Sequence, residues 1–164
     1  MMKRQKGLIL VELIAVIVLI GVIATFTTFF LYTGIKGYED TKNRTEGALS
    51  AQMALDRISQ ELRDLNYFSS FTPDSSLTFT SEVLSGTRKL SYSSDTIWIS
   101  IGSNNYRLLE KVDSGSFELK KTAQDLNNDG TADEVAFFKV GFRVHEISRD
   151  FKTRIFPRYM VKDK

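Results

Sequence analysis

Residues 8–31 read LILVELIAVIVLIGVIATFTTFFL, 24 residues in which Glu12 is the only charge. Coiled as an α-helix at about 1.5 Å per residue, such a run spans a hydrocarbon core about 30 Å thick. Lys3, Arg4 and Lys6 precede it, and a positive flank is expected to hold that end in the cytoplasm and place everything after Leu31 outside. A cleavable secretory signal fits less well, because its apolar core is about 7–15 residues long and ends at an A-x-A-like site. Glu12 is the anomaly, since a charged carboxylate one turn into an apolar helix costs a few kcal/mol. It either lies near enough to the headgroups to snorkel or be protonated, or meets an opposite charge.

The same sequence excludes several kinds of chemistry. There is no cysteine, which removes disulfides, thiolate metal sites and cysteine nucleophiles, and only one histidine, His145. The net charge of +2 comes without a Lys/Arg block, so no nucleic-acid partner is expected. His145 ends a predicted strand with no serine elbow in the chain, and no spacing pairs the scattered carboxylates for acid–base work. The expectation is a protein that is not an enzyme.

After Leu31 the chain turns polar without a strong breaker, although Gly34 and Gly37 are positions where a helix can kink. Ala48, Ala51, Leu55, Ile58, Leu62 and Leu65 recur at alternating spacings of three and four, a single apolar stripe. Arg57 and Glu61 lie off that stripe as an i,i+4 pair on a face read as solvated. The helix is therefore expected to continue amphipathically over residues 32–68.

From Ser75 the period becomes two. Residues 77–79, 89–92, 96–101, 106–112, 116–120, 135–144 and 152–161 read as strands separated by Ser, Gly, Asn and Asp. In the sixth, Ala136, Phe138, Val140, Phe142 and Val144 share one face, with Lys139 and Arg143 on the other. Trp98 alternates against Ile97 and Ile99 and is expected on the opposite side of its sheet. The fold class is α+β: a long N-terminal helix, its first half membrane-spanning, packed on an antiparallel β-rich domain over residues 69–164.

The stretch KGLILVEL, Lys6 to Leu13, resembles the leader junction of type IV prepilins and type II secretion pseudopilins: a short basic leader, a glycine, an apolar segment, and a glutamate five residues past the glycine. The resemblance implies a pilin-like fold and a leader over residues 1–7 cut after Gly7 by a membrane prepilin peptidase. It further implies methylation of the new amino terminus at Leu8 and pairing of Glu12 with the terminal ammonium of a neighbouring subunit. ALDRISQELRDL, Ala54 to Leu65, and TRIFPRY, Thr153 to Tyr159, resemble segments of J-type minor pseudopilins and PilW-like minor pilins. The implied partners are the peptidase, sibling pilin or pseudopilin subunits and an inner-membrane assembly platform. The implied location is the membrane before assembly, and afterwards a filament in the periplasm or at the cell surface. Two departures stand out: Leu8 replaces the more usual Phe, and Phe29 stands where the family commonly has proline. Apart from the resemblance, the sequence also suits a single-pass membrane protein whose outer domain binds a ligand and never polymerises, or an anchored enzyme.

One loop carries metal-like spacing. In DLNNDGTADE, Asp125, Asn127, Asp129 and Asp133 occupy positions one, three, five and nine of a calcium loop, with Gly130 at six and the Thr131 carbonyl at seven. Position twelve is Ala136, so this is not an EF-hand; a looser Ca²⁺ loop would be closed by Glu134 or a backbone carbonyl. The other reading is an Asn/Asp-rich hairpin whose side chains bond their own backbone.

Overall fold

A computed structural model describes residues 4–145, 147 and 149–162, with side chains from residue 10 onward except at the gaps. Helix α1 runs from Arg4 to Arg63 without interruption, through Gly21, Gly34 and Gly37. Eight strands follow: β1 (Leu65–Thr72), β2 (Ser76–Ser81), β3 (Thr87–Ser93), β4 (Thr96–Ile101), β5 (Asn104–Leu109), β6 (Glu118–Gln124), β7 (Glu134–Arg143) and β8 (Asp150–Ile155). All pair antiparallel, in a five-stranded sheet ordered β1-β2-β3-β4-β5 and a three-stranded sheet ordered β6-β7-β8. The chain divides into two compact units, residues 1–43 and 44–164.

The second unit owes its core to two periodicities meeting. Ala51, Ala54, Leu55, Ile58 and Leu62 bury the helical stripe against inward-facing strand residues, among them Leu77, Phe79, Leu90, Ile97, Leu119, Phe138 and Val140. Phe138, Val140, Phe142 and Val144 are buried along one face of β7 and its extension, as their alternation requires. The two sheets are tied where the chain leaves β7. Val112 and Val144 form an antiparallel bridge, and the Asp113 amide donates to the Arg143 carbonyl at 2.8 Å. The β3–β4 hairpin turns on Ser94 and Asp95, both at positive φ, the geometry that matches a two-residue turn to strand twist.

Three expectations are corrected. The helix ends at Arg63, not residue 68, and Leu65 opens a strand the periodicity missed. The ending is tertiary: the Arg63 carbonyl accepts the Arg158 amide at 2.8 Å, and the Asp64 carbonyl accepts the Glu82 amide at 3.1 Å. Leu65 is fully buried, but as the first residue of β1 opposite Ser81. The last strand stops at Ile155, short of residue 161, because Pro157 has no amide to donate and Arg158 turns to cap the helix. Val161 is nonetheless buried, and its carbonyl accepts the Val135 amide at 2.8 Å.

The third correction concerns Glu61, expected on a solvated face. It is 2% exposed, and its Oε1 meets Arg57 at 2.6 Å and the buried Arg88 of β3 at 2.9 Å. Glu61 Oε2 and Arg88 Nε are buried without hydrogen-bond partners. A carboxylate between two guanidinium groups joins the end of α1 to the middle of the large sheet.

Candidate functional site

The first unit is one helical segment. Its large apolar side chains between Leu10 and Leu31 are 47–71% exposed, and the helix is long and apolar enough to cross a membrane. The threonines inside it do not spoil that surface. Thr25, Thr27, Thr28 and Thr33 each donate a hydroxyl to the carbonyl four residues back, at 2.8–2.9 Å. Each side-chain proton is thereby satisfied within the helix, as a hydrocarbon surrounding demands.

The backbone of Gly7 and Leu8 lies in α1, while their side-chain surroundings fall outside the described residues. Glu12 is exposed, with no partner among the described residues. Leu8 and Glu12 stand four positions apart, one turn along the same helix face.

The Asp-rich loop joins β6 to β7, and its interior is a network of side chains bonded to backbone amides. Asp125 Oδ1 and Oδ2 accept from the amides of Asp129 and Gly130 at 3.1 and 2.9 Å. Asn127 Oδ1 also accepts from the Asp129 amide, at 2.9 Å, and Asp129 Oδ1 accepts from the Thr131 amide at 2.9 Å. Gly130 sits at φ +89°, the sharp turn its position implied. These are the bonds that a self-satisfying hairpin predicts.

A second feature exceeds what a turn requires. Oxygens of Asp129, Asp133 and Glu134 lie within 4.8 Å of one another. Glu134, absent from the calcium-loop positions read by spacing, is fully buried. Its Oε2 accepts the Leu126 amide at 3.1 Å and its Oε1 the Asn127 amide nitrogen at 2.7 Å. That nitrogen donates to Asp129 Oδ2 as well, at 2.8 Å. The hydrogen bond from Asn127, then that from Thr131, holds the Asp129 carboxyl below its ordinary value. Asp133 contacts Lys162 at 3.4 Å through Oδ2 and leaves Oδ1 buried without a partner. The predicted set is thus split: Asp129 and Asp133 converge with Glu134, while the oxygens of Asp125 and Asn127 hold the loop backbone.

His145 is 82% exposed and pairs through Nδ1 with Asp113 Oδ1 at 3.1 Å. The nearby Ser116 hydroxyl donates to the Asp113 carbonyl at 2.7 Å and accepts the Arg143 amide at 3.0 Å, which commits it to holding the seam between the sheets.

Comparison with protein-family models, curated proteins and solved structures finds no match.

Proposed function

We propose that the chain is a minor pilin or pseudopilin, a structural subunit processed after Gly7 and assembled through its first helix into the tip or initiating complex of a filament. The observation that carries this reading is the coincidence on one helix of the GLILVEL spacing and an all-round apolar surface from residue 10 to 31. The bilayer stores the subunit until assembly, when apolar surfaces of neighbouring helices replace lipid. Glu12 sets register by pairing with the methylated ammonium of a neighbour, so that neither charge lies alone in a medium of low dielectric. Prepilin peptidase, sibling subunits and the inner-membrane platform are the partners of that cycle.

Mass spectrometry of the native protein tests it. The expected mature chain begins at N-methylated Leu8; an intact amino terminus in cells with active peptidase sinks the proposal in favour of a membrane-anchored binding domain. Glu12→Ala should leave insertion and cleavage unchanged and lower incorporation into filaments about tenfold or more, the equivalent of about 1.4 kcal/mol.

For the loop we propose a weak calcium site built from Asp129, Asp133 and Glu134. It is supported by the Asn127 amide group, which bridges two carboxylates where a cation would serve, and by the orphaned Asp133 Oδ1. Bound calcium would neutralise the acidic cluster and cross-link the loop. Calorimetric melting of the full chain in dodecylphosphocholine micelles should rise with millimolar calcium, by about 1.4 kcal/mol at tenfold excess over Kd. Asp129→Ala should remove the rise, and no response in the wild-type chain ends the idea.

A further inference from the structure

The outer face of the five-stranded sheet is mostly polar, with Tyr67 exposed on edge strand β1 and one further aromatic on β4. Trp98, the chain's only tryptophan, sits on β4 between Ile97 and Ile99, which are buried on the opposite face. Its cross-strand neighbours are Ser91 on β3 and Arg107 on β5. Half-buried, the indole has no stacking, cation or hydrogen-bonding partner among the described residues. It lines a groove of about 490 Å³, within the usual size of small-ligand sites, together with Thr78, Lys89, Ser91, Ser100 and Asn105.

These side chains form two registered rows across the strands. Thr78, Lys89, Ser100 and Asn105 face one another in succession across β2 to β5, and the row through Ser91 and Trp98 lies beside them. Thr78, Ser91 and Ser100 beside it are short, and Trp98 keeps part of its surface exposed. Ser100 donates to Asn105 Oδ1 at 2.6 Å, so the Asn105 amide protons remain for another acceptor. Lys89 is exposed with no carboxylate partner among the described residues. The other charged residue in the lining, Arg88, turns its guanidinium inward to Glu61. The groove therefore holds positive charge and no negative charge.

We propose that this face binds a carboxylate-bearing polysaccharide. A pyranose ring presents a C–H face that packs on an aromatic plane and a rim of hydroxyls that needs short donors and acceptors. Trp98 supplies the plane, the Ser, Thr and Asn groups meet the rim, and Lys89 pairs with the carboxylate. A single-stranded nucleic acid would also stack on the indole, but such sites use successive aromatics along a basic track, and this groove is lined by one ring and one uncompensated lysine. The proposal does not depend on how the first helix is used.

Because Trp98 is the only tryptophan, its fluorescence reports the site directly. The full chain in dodecylphosphocholine micelles is titrated with trigalacturonate, with its neutral methyl ester and with a six-residue oligothymidylate. Trigalacturonate should change Trp98 emission saturably, with affinity at least about tenfold above that of the ester. Lys89→Ala should abolish the difference between acid and ester while leaving emission of the free protein unchanged. Absence of a saturable change, equal affinity for acid and ester, or tighter binding of the oligothymidylate overturns the proposal.

Discussion

Two glutamates on one helix illustrate what its two halves need. Glu12 stands among apolar residues and is exposed; Glu61 stands on a face that reads as polar and is buried. The cations that compensate Glu61 lie within the same chain, Arg57 one turn back and Arg88 on β3. No described residue compensates Glu12, and the proposed function places that cation on another subunit. Around them the helix surface differs in the same sense. Residues 10–31 are apolar all round, which suits a lipid or filament neighbour, whereas Ala51 to Leu62 carry one stripe that suits a single packed partner.

The contrast can be broken most severely at Glu61. Glu61→Ala leaves Arg88 buried and unpaired, and thermal unfolding followed by circular dichroism should show a loss of about 3–5 kcal/mol. Replacing both partners, Glu61→Leu with Arg88→Met, should be less damaging than the single change, because no uncompensated charge remains. A double mutant as unstable as the single would show that packing rather than charge holds the joint.

A matched pair of truncations comes next. Ile58 is 1% exposed and Ile17 is 60% exposed. Ile58→Ala should cost about 2–5 kcal/mol in the melting of the β-rich unit, whereas Ile17→Ala should stay within about 0.5 kcal/mol. Equal losses would mean that the first half of the helix is part of the folded core.

The smallest effect is a pH dependence in the three-stranded sheet. Hydrogen bonds from Lys139, then Lys120, hold the Glu118 carboxyl below its ordinary value. A carboxyl depressed in the folded state stabilises it above the unfolded value of about 4.3, and that contribution is lost as pH falls through the lower folded value. Melting temperature should therefore drop below about pH 4, and Lys139→Ala should flatten the drop and return the Glu118 titration, read by NMR, towards its ordinary value.

The legible parts of this protein are those written in local chemistry. Local pattern reached the apolar run, the 51–62 stripe, the β7 alternation, the outward Trp98 and the turn at Gly130, because each depends on residue type repeated at the period of its own element. Glu134 was legible only as an optional closing ligand of the loop. Its full burial depends on strand pairing and on Val161 and Lys162 lying against the start of β7.

The sequence by itself therefore determined a membrane-length helix with a lone carboxylate, a packed continuation and a β-rich body. Only the tertiary structure decided where the helix stops, since the Arg63 carbonyl finds its donor at Arg158, far along the chain. It also decided that Glu61 is buried and that Asp129 and Asp133 meet Glu134. Periodicity reports which face of an element is apolar; it does not report which distant donor or cation arrives to complete that element's unsatisfied groups.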